Sequence, residues 1–375
     1  MAEEMRIAYE PVSVAHPGDT VIEYLEFNEW SQRDLARRTG ITPKTISEIC
    51  NRKAPITPQT ALALEKVFQR PAHFWLNLQR RYDEAEARRR LASRRPEWKR
   101  WASQFPLAEM KRYKWIDLKE GDESAADALL SFFGVSSPES WQSVLEASNV
   151  AYRQTRKFTT KVEAISAWIR ETELEASQIE TQDFSEVRLR SLVDELRHQT
   201  REAADKFVPR VRELCASAGI AVVWVPELPS TGISGCARWL SDRKALIGLT
   251  LRYKTDDQMW FTFFHECAHI LFHRKQRGFI LDNAAVDLGD NVVDPQMRKD
   301  EEEANRFASD TLIPPDALAD FMKEGSVSNE AVHKFANKLD IGPGIVVGRL
   351  QREGLLAYHQ GNTLKRKFSW SIRDR

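Results

Sequence analysis

From Trp260 to His273 the chain places apolar side chains almost all round a helical wheel. Trp260, Phe261, Phe263, Phe264, Ile270, Leu271 and Phe272 would cover most of its circumference, which predicts a helix buried in a core. Upstream, GIAVVWVP from Gly219 to Pro226 is an unbroken apolar run of strand length. ISGCARWL followed by KALIGLTL predicts a hairpin turning at Ser241 to Arg243. Residues 115–200 repeat apolar positions at helical spacing. Leu129, Leu130, Phe132 and Phe133 form one patch, Trp141, Val144 and Leu145 a second, Ile165, Trp168 and Ile169 a third, and Leu189, Leu192, Val193 and Leu196 a fourth. Nearer the start, SQRDLARRTGITPKTISEICNRKAPIT (31–57) has the cadence of two short helices. Ser31 caps the first, which carries Leu35 and Ala36; Gly40 and Ile41 make the turn; Thr42 caps the second, with Pro43 at the tolerated first position. Ile46 and Ile49 then face inward, and Lys44, Thr45, Ser47 and Glu48 outward. The expected class is α+β, mostly α, with a small sheet late in the chain.

At 375 residues the chain exceeds one typical core, so two or three domains are expected. The pattern divides it into a helix-turn-helix domain at 1–83, a basic helical linker at 84–115, a helical middle segment at 116–200 and a final domain at 201–375. Lys plus Arg and Asp plus Glu both number 55, so any affinity for nucleic acid must come from a local patch and not from bulk charge. Gln32, Arg33, Arg37, Arg38, Arg52 and Lys53 supply such a patch around the paired helices, where they suit phosphate contacts. Four cysteines without Cys-x-x-Cys spacing fit reduced thiols. With no apolar signal core and no run near the ~20 residues that span a bilayer, a cytoplasmic protein without a membrane segment is expected. The basic end, KRKFSWSIRDR, is expected to be mobile.

The chemistry concentrates in FTFFHECAHILFH (261–273). His265 and His269 are four apart, one turn on a helix, so both imidazoles can ligate a single Zn²⁺. The plainer alternative is a buried amphipathic helix whose histidines are only hydrogen-bonded. A third ligand follows in DEEEANRFASDTLIPP, where Glu301, Ala304, Asn305, Ala308 and Leu312 share one helical stripe while Glu302 and Glu303 face elsewhere. His273 continues the four-residue spacing but lies two turns, about 12 Å, from His265, too far to share its ion. Two histidines and a carboxylate leave a fourth zinc position open, the mark of a catalytic site. Glu266 is then the general base for peptide-bond hydrolysis. Tyr253, just ahead of the helix, is a candidate oxyanion donor, and a sheet edge nearby would accept an extended peptide.

Two resemblances follow from these motifs. FTFFHECAHILFH, EEEANRFASDTLIPP and IGPGIVVGRLQREG, within roughly 200–355, resemble the ImmA/IrrE family of metallopeptidases. That resemblance implies a zincin-like fold, one Zn²⁺ per chain on His265, His269 and Glu301, Glu266 as catalytic glutamate, and another protein, often a repressor, as substrate. The stretch from His16 to Tyr82 is similar to the HigA-type subgroup of the XRE helix-turn-helix family. It carries HPGDTVIEYLEFNEWSQRDLA, the APITPQTALAL stretch and FWLNLQRRYD. This resemblance implies a five-helix domain, operator DNA contacted by Gln32, Thr42, Lys44, Thr45 and Ser47, homodimers spanning half-sites about 34–36 Å apart, and a toxin as partner. Two functions stay open at this point. One is a DNA-binding regulator with a zinc endopeptidase that cleaves a partner or itself; the other is an antitoxin-like repressor whose zinc domain is a sensor or scaffold.

Overall fold

A computed structural model describes residues 14–118, 125–147, 162–273, 280–282, 295–323, 325 and 327–370. The chain forms two compact units, 1–98 and 99–375.

The first unit contains α1 (Pro17–Phe27), α2 (Gln32–Thr39), α3 (Pro43–Cys50), α4 (Pro58–Phe68) and the long α5 (Ala72–Ser93). Short polar side chains start three of these helices. Ser31 and Asp34 form a reciprocal capping box on α2, Thr42 Oγ1 accepts from Thr45 N on α3 at 3.1 Å, and Thr57 Oγ1 accepts from Thr60 N on α4 at 3.3 Å. Gly40 ends α2 with φ 71°, the left-handed conformation that lets the chain reverse into α3. Leu35, Ile46, Ile49, Leu64 and Trp75 are fully buried in one core, each fully buried aliphatic contributing about 1.5–3 kcal/mol. The inward Ile46 and Ile49 and the two caps are as the pattern required.

Helix α6 (Arg95–Ala102) crosses the boundary between the units. The stretch expected as a basic helical linker is not exposed throughout: Ala102, Phe105 and Met110 are buried, and Trp101 meets Phe105 and Trp141 edge-on at 5.0 and 5.8 Å. The cause is its composition, which turns from arginine-rich to aromatic after Arg95. Then come α7 (Leu107–Arg112), α8 (Ala125–Phe133), α9 (Pro138–Ala147), α10 (Val162–Ser177), α11 (Glu186–His198) and α12 (Ala204–Ser217). On α9 the core side follows Trp141 and Leu145, so Val144, expected inside, is exposed.

The sheet has four strands, β1 (Ile220–Trp224), β2 (Gly235–Ser241), β3 (Lys244–Leu249) and β4 (Ile280–Asp282), in the order β1-β3-β2-β4. β1 runs parallel to β3 with Val222 opposite Ile247. β2 runs antiparallel to β3 with Ala237 opposite Ile247, which is the expected hairpin. β4 pairs antiparallel with β2 over Gly235–Ala237. Alternation splits the strands into two apolar faces. Ile220, Val222, Ala237, Ala245, Ile247 and Leu249 join the core of α13 (Asp256–Phe272), including Trp260, Phe263 and Phe264. The opposite face is covered by α10: Trp168 Nε1 donates to Val225 O at 3.2 Å, Glu173 pairs with Arg238, and Thr172 reaches Gly248 and Cys236. Part of the middle segment is therefore a layer of this fold.

Four helices complete the unit: α14 (Pro295–Leu312), α15 (Pro315–Lys323), α16 (Asn329–Leu339) and α17 (Pro343–Arg352). The end of the chain is held and not mobile, as far as Trp370. Lys365 Nζ meets Asp257 Oδ2 at 2.7 Å, Arg366 Nε meets Asp256 Oδ2 at 3.2 Å, and Trp370 Nε1 donates to Glu227 at 3.2 Å; residues 371–375 lie outside the described residues. Two basic residues that read as a solvated tail are thus counter-ions to buried carboxylates at the start of α13. Among the described residues no helix is long and apolar enough to cross a membrane.

Candidate metal centre and helix-turn-helix face

Helices α13 and α14 pack along one another, with Ala304 and Ala308 fully buried on the contact face. These small residues let the two backbones approach and bring Glu301 over α13. His265 and His269 are 1 % and 2 % exposed, which removes water as a competing partner. Their Nε2 atoms stand 2.9 Å apart. Glu301 Oε2 lies 3.3 Å from that of His265, and Glu301 Oε1 lies 3.5 Å from that of His269.

The opposite ring nitrogens have partners that favour one set of tautomers. His265 Nδ1 is 3.1 Å from Asn305 Oδ1, an acceptor, so Nδ1 carries the hydrogen. His269 Nδ1 is 2.9 Å from His273 Nδ1, and His273 Nε2 lies 3.2 Å from Glu303 Oε2 and 3.4 Å from Asp300 Oδ1. The carboxylates take the His273 Nε2 hydrogen, which leaves His273 Nδ1 as acceptor for His269 Nδ1–H. In those tautomers both Nε2 lone pairs converge on one point beside a carboxylate, an arrangement that a divalent cation stabilises. Burial first, then the neighbouring His265 and His273, hold the His269 pKa well below the ordinary histidine value, so the ring is a neutral ligand and not an imidazolium. His265, His269 and Glu301 are a donor set that fits a metal ion.

Glu266 is fully buried on the same helix. A Cβ on Gly235 of β2 would come 2.9 Å from Glu266 Oε1, so the absence of a side chain there makes room for this carboxylate. Tyr253 is 41 % exposed in the loop before α13, outside the three-donor set, with the Arg252 guanidinium 5.1 Å from its ring centre. Cys267 beside the donors is buried, and burial pushes its thiol pKa up, as it does for Cys50, Cys215 and Cys236. All four are inert thiols. Gln351 is buried and bonded to Tyr358 O, Gln360 O, Asn362 and Lys365, while Arg349 pairs with Glu353.

Reading by spacing treated His273 only as a rival ligand and turned Glu303 away; the structure makes both outer partners of the donor set. The signal for His273 lies in the second four-residue step, from His269 to His273. Asn305 likewise sits four residues after Glu301 on the stripe already recognised.

In the first unit, Gln32 and Arg33 open α2, while Thr42, Lys44, Thr45 and Ser47 open α3, which packs on α2. Arg33, Thr42, Lys44, Arg52 and Lys53 are exposed; Gln32, Thr45 and Ser47 are half-buried. Arg52 is engaged by Asp19 at 2.9 Å, and Lys44 stands 3.8 Å from Glu48.

Comparison with known proteins matches residues 23–75 to the helix-turn-helix family and residues 231–351 to the IrrE N-terminal-like domain of the M78 peptidases. The HTH-type transcriptional regulator YddM of Escherichia coli is 37 % identical over 83 residues, 22 % of this chain and 84 % of that protein. Among solved structures, an addiction module antidote protein of the HigA family from Coxiella burnetii is 33 % identical over 23 % of this chain and 95 % of its own, with a TM-score of 0.22. A Pseudomonas aeruginosa protein solved with its 18-bp operator DNA is 31 % identical over 20 % of this chain and 84 % of its own, with a TM-score of 0.20. The chain belongs to the XRE-type helix-turn-helix regulators through its first unit and carries an IrrE-like domain of the M78 peptidase family in its second.

Proposed function

We infer that this regulator binds operator DNA through its first unit and is a zinc-dependent endopeptidase through its second, working in the cytoplasm on a repressor-like protein or on itself. One observation carries the enzymatic half: two buried imidazole Nε2 atoms 2.9 Å apart, with the Glu301 carboxylate alongside. Two histidines and a carboxylate are the donor chemistry of hydrolytic zinc, with a fourth position left open. His265, His269 and Glu301 would hold one Zn²⁺ per chain, which when bound supplies Lewis acidity toward a peptide carbonyl.

The remaining work falls to protein groups. Glu266 takes the proton of the attacking water on an Oε atom and delivers it to the leaving amine nitrogen. Its burial keeps bulk water from competing for that proton. Tyr253 Oη donates a hydrogen bond to the developing oxyanion. An extended substrate adds along the sheet, whose outermost strand on the β2 side is β4.

On DNA, Gln32, Thr42, Lys44, Thr45 and Ser47 read base edges from the start of α3 and its neighbour, and Arg33, Arg52 and Lys53 hold phosphates. A homodimer places two copies on successive half-sites.

Co-expression of the wild type and Glu266→Gln with the neighbouring genes tests the reading. A protein fragment made only by the wild type, with equal operator binding by both forms, is the expected result. Zinc content near zero and no fragment would overturn the enzymatic half and leave the antitoxin-like reading, in which operator and toxin binding persist. Arg33→Ala should lower the slope of log K against log salt by about one, whatever the operator sequence.

A further inference from the structure

The last turns of α5 stand clear of the core of the first unit. Trp75 and Gln79 are the buried residues of this helix, and every residue from Ala87 to Ser93 is exposed. From Glu84 to Arg95 the chain carries five arginines, at 88, 89, 90, 94 and 95, against two glutamates, at 84 and 86, so the stretch has a net charge of +3. Both glutamates are already engaged within the helix. Glu84 meets Arg80 at 3.7 Å and Arg88 at 2.9 Å, and Glu86 pairs with Arg89. Arg90 has no carboxylate partner among the described residues.

The helical period gives this excess a side. Gln79, Asp83, Glu86 and Arg90 follow one another at steps of four, three and four, which sets them on one stripe, with Arg81 on the opposite side. At the near end of the stripe Gln79 Oε1 accepts from Ile56 N at 2.9 Å, its Nε2 donates to Asp83 Oδ1 at 2.8 Å, and Asp83 and Arg52 both act electrostatically on His16. That end therefore abuts the turn after α3, which carries Arg52 and Lys53. Arg90 lies on the same stripe eleven residues beyond Gln79, about 16 Å along the axis. A cationic surface that continues from the turn after the recognition helix, and runs past the ~12 Å width of a major groove, suits a phosphate backbone with one charge per ~1.7 Å of duplex. Leu91 is the one large apolar side chain exposed on these turns, too little for the seam of a paired helix.

We propose that the distal half of α5 is a second DNA contact, which holds backbone phosphates flanking the half-site through Arg90 and reads no sequence. It lengthens the footprint beyond the paired helices. The proposal rests on the operator-binding reading given above and is independent of the peptidase.

The two DNA contacts can be separated by duplex length. Full-length protein selects a duplex from a pool with a randomised 40-bp core, and its affinity is then measured from 50 to 200 mM salt for that duplex and for one trimmed to the selected base pairs. Arg90→Gln, which keeps a good helix former, is expected to lower the slope of log K against log salt on the 40-bp duplex by about 0.9 per bound chain. Its affinity should then fall about threefold less than that of the wild type across this salt range. On the trimmed duplex Arg90→Gln should match the wild type, which also shows that the variant is folded. Arg81→Gln, on the opposite side of the helix, should match the wild type on both. An unchanged slope for Arg90→Gln on the 40-bp duplex overturns the second contact while the operator reading stands. So does an equal effect of Arg81→Gln, which would mark general charge, or a changed oligomeric state of Arg90→Gln in sedimentation, which would mark a contact with a second copy. Failure to select any duplex removes the operator reading and this contact with it.

Discussion

His269 and His273 face each other through their Nδ1 atoms at 2.9 Å, and the far nitrogen of His273 is claimed by Glu303 and Asp300. One hydrogen bond thus decides which nitrogen of His269 is free to ligate. Outer partners of this kind orient a metal-binding imidazole and raise its basicity, and their loss typically costs 10–100-fold in metal affinity. His273→Ala is expected to weaken Zn²⁺ binding by about that factor, read by competition with a chromophoric chelator, while the helical circular dichroism stays as in the wild type. Glu303 is the more exposed carboxylate, at 55 % against 8 % for Asp300, so Glu303→Gln should cost less than Asp300→Asn. Unchanged affinity in His273→Ala would show that the pair is only packing.

Gly235 provides the second test, because it separates holding the ion from using it. An alanine methyl there meets Thr262 Cγ2 and Glu266 Oε1 first, ahead of any of the three donors. Overpacking of this kind costs about 1–3 kcal/mol. Gly235→Ala is expected to keep one Zn²⁺ per chain by metal analysis, to lower the melting temperature, and to reduce peptidase turnover at least about tenfold, since displacing the base raises the barrier by about 1.4 kcal/mol or more. Wild-type turnover in the variant would mean that Glu266 has slack the packing does not suggest.

The elements were legible in the chain wherever period and capping agreed. Ser31, Gly40 and Thr42 gave the two short helices, the unbroken run of β1 gave a buried strand, and the four-residue steps of His265 and His269 with the Glu301 stripe gave the donor set. What stayed hidden depended on contacts between distant segments. Nothing local in KRKF says that Lys365 and Arg366 neutralise Asp256 and Asp257 more than one hundred residues earlier. Nor does the spacing of α10 say that it will cover a sheet formed after it in the chain. Tyr253 shows the same limit from the other side: its place before the helix was readable, its position relative to the donors was not.

The clamp on α13 makes a stability prediction. Asp256 is fully buried, and burial pushes its carboxyl pKa up even though Arg366 opposes the shift. Arg366 also donates to Thr200 O, Arg201 O and Glu202 O, so one guanidinium ties the start of the metal helix to the segment before α12. Removing one partner of a buried pair costs about 3–5 kcal/mol, and the 33 % exposure of Arg366 places this case at the low end. Arg366→Leu should lower stability by about 3 kcal/mol in denaturant unfolding followed by tryptophan fluorescence. Adding Asp256→Asn should recover part of the loss, because the stranded charge is then gone. No recovery would shift the weight to the three backbone carbonyls.

His16 and Tyr82, at the two ends of the HigA-like stretch, close the first unit on itself, their rings edge-on with centres 4.6 Å apart. His16 is buried, and its Nδ1 accepts from Gly18 N at 2.9 Å, which caps α1 only while that nitrogen is unprotonated. Burial, the leading cause, lowers its pKa from 6.5, with Asp19 pulling the other way. The unfolded chain therefore binds the proton at a pH where the folded unit still refuses it, so stability rises with pH across that interval. It is complete above pH about 6.5 and is lost as the pH falls from there toward the lower folded value. Hydrogen exchange of the α1 amides in the full-length protein should accelerate between pH 7.5 and 5.5, beyond the intrinsic pH effect on exchange. His16→Asn keeps an acceptor at the cap without a titrating ring, and should show that acceleration abolished. Equal pH sensitivity in the two proteins would place the titrating group elsewhere in the unit and leave His16 as a cap and an aromatic contact alone.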